Sequence, residues 1–311
     1  MSYLDVGQGE AVLLAHGFLW DARLWNMQIA LLSRRYRVIA PDLWGHGQSG
    51  PMPIGTASLF DIADQHRLLL DRLGIQRCAI VGMSVGGMWG AELALSHPSR
   101  VTALALLNTY LGSEQEPMRE TCLSMLAAVE AAGAVPDAIA DKLIPLFFSP
   151  TSIATHSALI NEFRGLLRNP ARDMVVDTLV PLGRMIFQRR NALPDLANIS
   201  AETFVMSGAH DVARPPYEGR EMAVILGCGY DEIPDAGHSA PLENPQSVNE
   251  RLSDFRYRLR QFLRASEHTC RTHGLTALQY QLLLHVAGFP GRSWATIGEL
   301  AERLQAQHHG V

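Results

Sequence analysis

Short apolar runs alternate with amphipathic stretches over the first third of the chain. The apolar runs span residues 12–15, 36–40, 78–81 and 103–107. Between them, residues 25–32, 62–73 and 87–96 read as helices. Apolar runs that alternate with helices are typical of βαβ units, in which helices cover both faces of a parallel sheet. The pattern therefore predicts an α/β fold with a doubly wound, mostly parallel sheet.

The pattern changes between about residues 114 and 190, where helix follows helix with few β-branched runs. Five prolines (positions 136, 145, 150, 170 and 181) stand at intervals that suit helix starts and stops. Sheet-like runs return at residues 203–206 and 229–233, and residues 249–263 form an amphipathic helix. We therefore predict a core of residues 1–112 and 193–264, a helical cap insertion of residues 113–192, and a short all-α tail of residues 265–311.

Composition narrows the class of protein. Of the 311 residues, 47% are hydrophobic and 18% charged, and the formal charge of −5 does not suggest a nucleic-acid binder or a protein that coats anionic membranes. We find neither a secretory leader pattern nor an apolar run of about eighteen residues, so we expect a cytoplasmic protein that does not enter a membrane. The cysteines (Cys78, Cys122, Cys228 and Cys270) lack zinc or disulfide-framework spacing, so we expect reduced thiols, no metal and no cofactor.

The segment Gly82-Met83-Ser84-Val85-Gly86 is a G-x-S-x-G motif placed between a predicted strand and a predicted helix. That context gives the motif its meaning, since the pattern alone is common by chance. A serine at such a tight turn is strained and exposed above the sheet edge, and the helix N-terminus faces the same place. The other interpretation is an ordinary turn with a helix-capping serine. The flanking strand and helix favour Ser84 as a nucleophile.

A serine hydroxyl needs a base, and the base needs an acid that fixes its tautomer. His238, in a loop after the last predicted strand, is the candidate base, and Asp211, in the loop after the strand ending at Met206, is the candidate acid. Asp235 competes for the acid role, but it lies very close to His238 in sequence. His46, in the glycine-rich loop of residues 44–50, is expected to hold that loop by hydrogen bonds.

The oxyanion of an acyl-transfer intermediate needs two backbone N–H donors. Val85 follows the nucleophile directly and should provide one of them. Phe18, in the turn after the first central strand, is the candidate for the other.

These residues lie in four motifs: HGF (16–18), PDLWGHGQSG (41–50), GMSVGG (82–87) and DAGHSAPLENP (235–245). With them, residues 1–264 resemble the α/β-hydrolase superfamily. Within it the chain looks most like 3-oxoadipate enol-lactonases, small carboxylesterases and cofactor-free haloperoxidase-like proteins. Serine at position 84 argues against haloalkane dehalogenases and epoxide hydrolases of this fold, which attack with a carboxylate. In this superfamily the cap largely sets substrate choice.

The cap offers two kinds of candidate substrate contact. Its arginines (Arg164, Arg168, Arg172, Arg184, Arg189 and Arg190) could bind a carboxylate, although most are better read as a solvated helix face. Aromatic residues could line an acyl pocket, and core packing is an equal or better reading of each (Trp20, Trp25, Trp89, Phe147 and Phe148).

The tail of residues 265–311 resembles the start of a MarR-type winged helix-turn-helix over about forty residues. The resemblance stops at Gln307–Val311, where a recognition helix would begin, and the tail is neutral by count of its arginines and glutamates. DNA binding is therefore not expected. A remnant that packs on the hydrolase or mediates self-association fits better.

The sequence thus predicts a serine hydrolase that cleaves a small-molecule carboxylic ester or lactone through an acyl-enzyme. Its rate should rise with pH as His238 loses a proton. The same triad could instead serve C–C bond hydrolysis, perhydrolysis or acyl transfer. The alternative of another class is a ligand-sensing, hydrolase-like regulator with a DNA-binding tail.

Overall fold

In the computed structural model, which describes residues 1–254, a seven-stranded sheet forms the centre of the molecule. Its strands lie in the order β1-β3-β2-β4-β5-β6-β7, and every neighbouring pair is parallel except β1 and β3. The strands are β1 Tyr3–Val6, β2 Ala11–Ala15, β3 Arg37–Pro41, β4 Cys78–Met83, β5 Val101–Leu107, β6 Glu202–Gly208 and β7 Gly229–Ile233. The predicted doubly wound, mostly parallel sheet is confirmed.

Helices connect the strands and supply the crossovers that parallel pairing requires. The helices are α1 Asn26–Leu32, α2 Leu59–Arg72, α3 Val85–Ser96, α4 Glu116–Ala132, α5 Asp137–Phe147, α6 Pro150–Thr155, α7 Ser157–Arg168, α8 Arg172–Met174, α9 Val180–Phe187, α10 Pro216–Leu226 and α11 Ala240–Glu243. Short 3₁₀ turns cover Ala22–Trp25, Pro98–Arg100 and Leu193–Asn198, and a π-turn, Val175–Leu179, joins α8 to α9. Helix α3 packs on the three central strands β2, β4 and β5, so the turn that begins it lies over the middle of the sheet.

The structure contains two elements that the sequence interpretation missed, β1 and α10. Strand β1 is exposed along its whole length and pairs antiparallel with β3 at the sheet edge, so it has no buried apolar run to mark it. Helix α10 begins at Pro216 and packs on β6 and β7. One proline was also misread, because Pro145 lies inside α5, two residues before its end, instead of at a helix boundary.

Helices α4–α9 stand between β5 and β6, as one continuous insertion into the α/β pattern. We call residues 113–192 the helical insertion. It belongs to the same compact unit as the sheet, Met1–Arg251. A second unit begins at Leu252, and of it the structure describes residues 252–254. The predicted tail of residues 265–311, Cys270 and most of the predicted helix 249–263 lie outside the described residues.

No helix in the described part of the chain is both long and apolar enough to cross a membrane. The cysteines that this part contains are free thiols, with Cys78 and Cys122 buried and Cys228 partly buried.

Candidate active site

Ser84 stands alone between the end of β4 and the first turn of α3. Its backbone has φ 53° and ψ −122°, a conformation that a residue with a Cβ rarely adopts. Its N–H donates to the Leu107 carbonyl at 3.0 Å, and its own carbonyl accepts the Thr109 hydroxyl at 2.7 Å besides the N–H groups of Gly87 and Met88. The strained turn that the G-x-S-x-G context predicts is therefore present, and residues at and just after the end of β5 support it.

The glycines of the motif permit a very close approach of strand and helix. A Cβ on Gly86 would lie 2.2 Å from the Ala15 carbonyl oxygen, and one on Gly82 would lie 2.6 Å from the backbone of Gly87. Any larger residue at either position would push α3 away from the sheet. The N-terminal end of α3 is thereby held beside Ser84.

His238 and Asp211 meet although 27 residues separate them in sequence. His238 lies in the loop between β7 and α11, Asp211 in the loop after β6, and Nδ1 of the histidine is 2.9 Å from Oδ2 of the aspartate. Because a carboxylate only accepts, Nδ1 carries the proton, and Nε2 is left as the acceptor that a general base needs. Both side chains are buried, with relative exposures of 4% and 3%. Asp235, the competing acid, is exposed, and its contribution near the site is a carbonyl that accepts the Ser149 hydroxyl.

Asn108, which the sequence interpretation missed, ties this pair to the sheet. It follows β5 with φ 49° and is fully buried. Its Nδ2 donates to Asp211 Oδ2 at 2.6 Å and to the Gly237 carbonyl at 3.1 Å. Asp211 also accepts the Arg214 N–H on Oδ1 at 2.9 Å, so both of its oxygens are fixed. A polar residue at the carboxyl end of a central strand was the available signal.

The two predicted oxyanion donors lie beside Ser84. Val85 is the first residue of α3, and the first N–H groups of a helix have no carbonyl one turn earlier to bond. Phe18 lines the same pocket as Ser84 and His238. The next residue, Leu19, has φ 68° and donates its N–H to His46 Nε2 at 3.0 Å.

Two buried histidines hold the loops under this turn. His46 Nδ1–H donates to the Trp44 carbonyl at 2.8 Å, and His16 Nε2 accepts the Leu43 N–H at 2.8 Å. Burial lowers the pKa of His16 to about 4 and that of His46 to about 3, so both are neutral near pH 7. The expectation that His46 serves its loop by hydrogen bonding is confirmed.

A cavity of about 120 Å³ opens onto Ser84 and His238. Much of its wall comes from the helical insertion, and most of the lining side chains are aliphatic or aromatic. The edge of the Phe147 ring faces the His238 ring, with centroids 5.4 Å apart. Of the aromatic candidates from the sequence, Phe147 lines this cavity, whereas Trp25 and Trp89 are fully buried in the core.

A buried cluster of four charges lies next to the cavity. Glu114 Oε2 accepts from both Arg189 and Arg214, and Arg214 Nη1 lies 3.6 Å from Glu218 Oε2. All four residues are less than 10% exposed, and Arg214 also lines the cavity. Burial raises the pKa of Glu218 to about 7 against the attraction of Arg214. The cluster joins both ends of the helical insertion to the loop of Asp211.

The arginines of the insertion mostly pair with nearby acids. Arg164, Arg168 and Arg184 bridge to Asp141, Asp137 and Glu130 at partly or fully exposed positions, as the solvated-face interpretation expects. Arg189 also pairs with an acid, Glu114, but both side chains are buried, so the solvated-face interpretation does not apply to this arginine.

The sequence profile of a family described as alpha/beta hydrolase fold matches residues 10–245. That range includes every site residue described above.

Individual proteins of several activities are similar to this chain. The dihydrolipoyllysine-residue acetyltransferase component of the acetoin cleaving system of Cupriavidus necator is 30% identical over 252 residues, which are 79% of this chain and 63% of that protein. This chain therefore spans less than two thirds of that relative. The carbamate hydrolase candidate RutD of Pantoea ananatis is 28% identical over 268 residues, 82% of this chain and 92% of that protein.

Solved structures of an esterase and of an enol-lactonase are also similar to this chain. A thermophilic esterase from Thermogutta terrifontis superposes with a TM-score of 0.75 at 28% identity, covering 83% of this chain and 93% of the esterase. The enol-lactonase of Burkholderia xenovorans gives a TM-score of 0.73 at 25% identity, covering 82% of this chain and 95% of the lactonase.

Proposed function

This chain belongs to the alpha/beta hydrolase family, and on that premise we propose that it hydrolyses a carboxylic ester or lactone through an acyl-enzyme on Ser84. The observation that carries the proposal is the 2.9 Å hydrogen bond from His238 Nδ1 to Asp211, in a loop that lines the same cavity as Ser84. Esterase and enol-lactonase relatives that span most of this chain support the choice of bond.

Each group has a defined task in the proposed reaction. His238 Nε2 takes the proton of the Ser84 hydroxyl as its oxygen attacks the substrate carbonyl, and Asp211 stabilises the imidazolium that results. The N–H groups of Val85 and Phe18 bind the oxyanion, assisted by the positive end of α3. The same imidazolium then protonates the leaving alcohol, and a water activated by His238 releases the acid.

The test is turnover of p-nitrophenyl esters by the wild type and by Ser84→Ala. We expect kcat to fall by about 10³-fold or more in the variant, because no acyl-enzyme can form. Ser157→Ala, at an exposed position of the insertion, is the matched control and should retain turnover.

Either of two results would contradict the proposal. Turnover that survives Ser84→Ala would mean that another group attacks. Absence of turnover on esters and lactones alike, in folded protein, would move the assignment to C–C bond hydrolysis, acyl transfer or ligand sensing.

A further inference from the structure

We propose that the cavity beside Ser84 accepts one uncharged, apolar group of about four to six carbons, and that the helical insertion sets this limit. The inference rests on the proposed function and deepens it by naming the substrate class. It separates substrates of this enzyme from esters and lactones that carry a carboxylate on the group bound there.

The chemistry of the wall is the first argument. The insertion lines the cavity with aliphatic and thioether side chains, among them Met125, Leu126, Val129, Ile139 and Leu179. Leu126, Val129 and Leu179 belong to one buried apolar cluster, so this wall is packed and not a loose surface. The Cys122 thiol also lines the cavity, and burial raises its pKa to about 11, so it stays neutral at physiological pH.

The state of Arg214 is the second argument. It is the one arginine or lysine among the described residues of the lining, and it could in principle hold a carboxylate. Its guanidinium already donates to Glu114 and faces Glu218 at 3.6 Å. A substrate carboxylate would have to compete with Glu114, and above about pH 7 also with the ionised Glu218, in a site where an unpaired charge is costly.

The size of the cavity is the third argument. An apolar protein cavity of roughly 150 Å³ stays dry and binds benzene. At about 120 Å³ the present cavity is slightly smaller. A straight group of about four to six carbons fills such a space, and we expect the packed wall of the insertion to resist a longer one.

Two ester series locate the apolar group. In the first, p-nitrophenyl esters run from acetate to decanoate; in the second, alkyl acetates run from methyl to octyl. We expect kcat/KM to rise by about fourfold per methylene. The maximum should lie at butyrate or hexanoate in the first series, or at butyl or hexyl acetate in the second, and kcat/KM should fall for longer chains. The series that shows the optimum identifies which side of the ester enters the cavity.

Charge is tested with an ester of matched length. The p-nitrophenyl monoester of succinic acid has the four acyl carbons of butyrate and ends in a carboxylate. We expect its kcat/KM to be at least about 100-fold below that of butyrate, because the carboxylate would be buried without a free partner. The comparison is made at pH 6 and at pH 8, so that it covers both the protonated and the ionised form of Glu218, whose pKa is about 7.

Two variants of opposite effect connect the limit to the insertion. Val129→Phe narrows the cavity, and we expect the ratio of kcat/KM for hexanoate to that for acetate to fall about tenfold or more. Leu126→Ala widens it and should move the optimum to longer chains, which keeps the test informative if the larger side chain prevents folding. Ala128→Phe, exposed on the same helix, is the matched control and should leave the optimum unchanged.

The outcomes separate this inference from the proposed function. Turnover that depends on Ser84 but shows no chain-length optimum in either series overturns the inference alone. So does a preference for the succinate monoester that Arg214→Gln abolishes, since that result would make Arg214 a carboxylate anchor. Loss of all turnover dependent on Ser84 would overturn the proposed function instead.

Discussion

At the scale of single residues, Asn108 is the group on which the proposed acid and base both depend. It bonds the Asp211 carboxylate and the backbone of Gly237, the residue before His238. Its φ of 49° lies in the left-handed region that asparagine and glycine tolerate best. Glycine at this position would therefore remove the amide without adding backbone strain.

We predict that Asn108→Gly lowers kcat by about ten- to a hundredfold, by analogy with the loss of an outer-shell hydrogen bond, while KM changes little. The physical reason is that Asp211 loses the donor on the same oxygen that accepts from His238, so the pair is less well oriented. Steady-state kinetics on one p-nitrophenyl ester measures the split between kcat and KM. Asn198→Gly, at an exposed position, is the control.

A positioning role for Asn108 would be refuted by a variant that unfolds at the wild-type temperature and keeps its kcat. Thermal unfolding is measured on the same preparation, because a variant that loses both stability and kcat does not separate a positioning role from a structural one. Asn108→Ser, which keeps a shorter donor, should then recover part of the lost kcat.

At the scale of elements, the buried charge cluster is the joint between the helical insertion and the core. Glu114 precedes α4, Arg189 follows α9, and Arg214 and Glu218 flank the start of α10. Removing Glu114 would leave the buried Arg189 and Arg214 without the carboxylate that both bond, which costs far more than the cluster contributes as a whole. The cluster therefore fixes where the insertion closes on the cavity.

Glu218 should make stability depend on pH. Its pKa is about 7 in the folded protein, against an ordinary value of 4.5, so the folded state holds a proton that the unfolded state releases between these values. Stability therefore falls as pH rises from about 4.5 to about 7. We predict that Glu218→Gln matches the wild type near pH 4.5 and is more stable at pH 8, by about 1–3 kcal/mol.

Thermal unfolding of both proteins across this pH range measures the difference, and Glu120→Gln, at an exposed position of α4, serves as the control. If Glu218→Gln were instead less stable than the wild type at pH 8, the attraction between Glu218 and Arg214 would outweigh the cost of burying the carboxylate. The pKa of Glu218 in the folded protein would then lie below its ordinary value of 4.5 and not above it.

The elements themselves show what a sequence can and cannot reveal. Strands β2, β4 and β5 are buried apolar runs, and the pattern alone located them. Strand β1 is held by its pairing with β3, and the joint of Glu114 and Arg214 forms between residues 100 positions apart, so neither leaves a local signal. Ser84 and His238 could be proposed from the sequence because their motifs combine a residue type with a required turn.

At the scale of the whole molecule, the α/β fold and the candidate site are contained in one unit of the chain. The seven strands, the cavity and all the site residues lie within Met1–Arg251, and the family match ends at residue 245. We therefore expect the proposed reaction to proceed without residues 265–311. This separates the enzyme hypothesis from the regulator hypothesis, in which those residues would act on DNA.

We predict that a chain ending at residue 264 hydrolyses p-nitrophenyl esters with the kcat/KM of the full chain, because every proposed catalytic group is retained and fixed by bonds within the first unit. A gel shift with random duplex DNA at low salt should show no binding by either chain, since the tail has no net positive charge to release counterions. Salt-sensitive binding by the full chain alone would favour the regulator. Loss of turnover in a folded, truncated chain would mean instead that the tail contributes to the active site, and comparing the two assays on the same preparations distinguishes these cases.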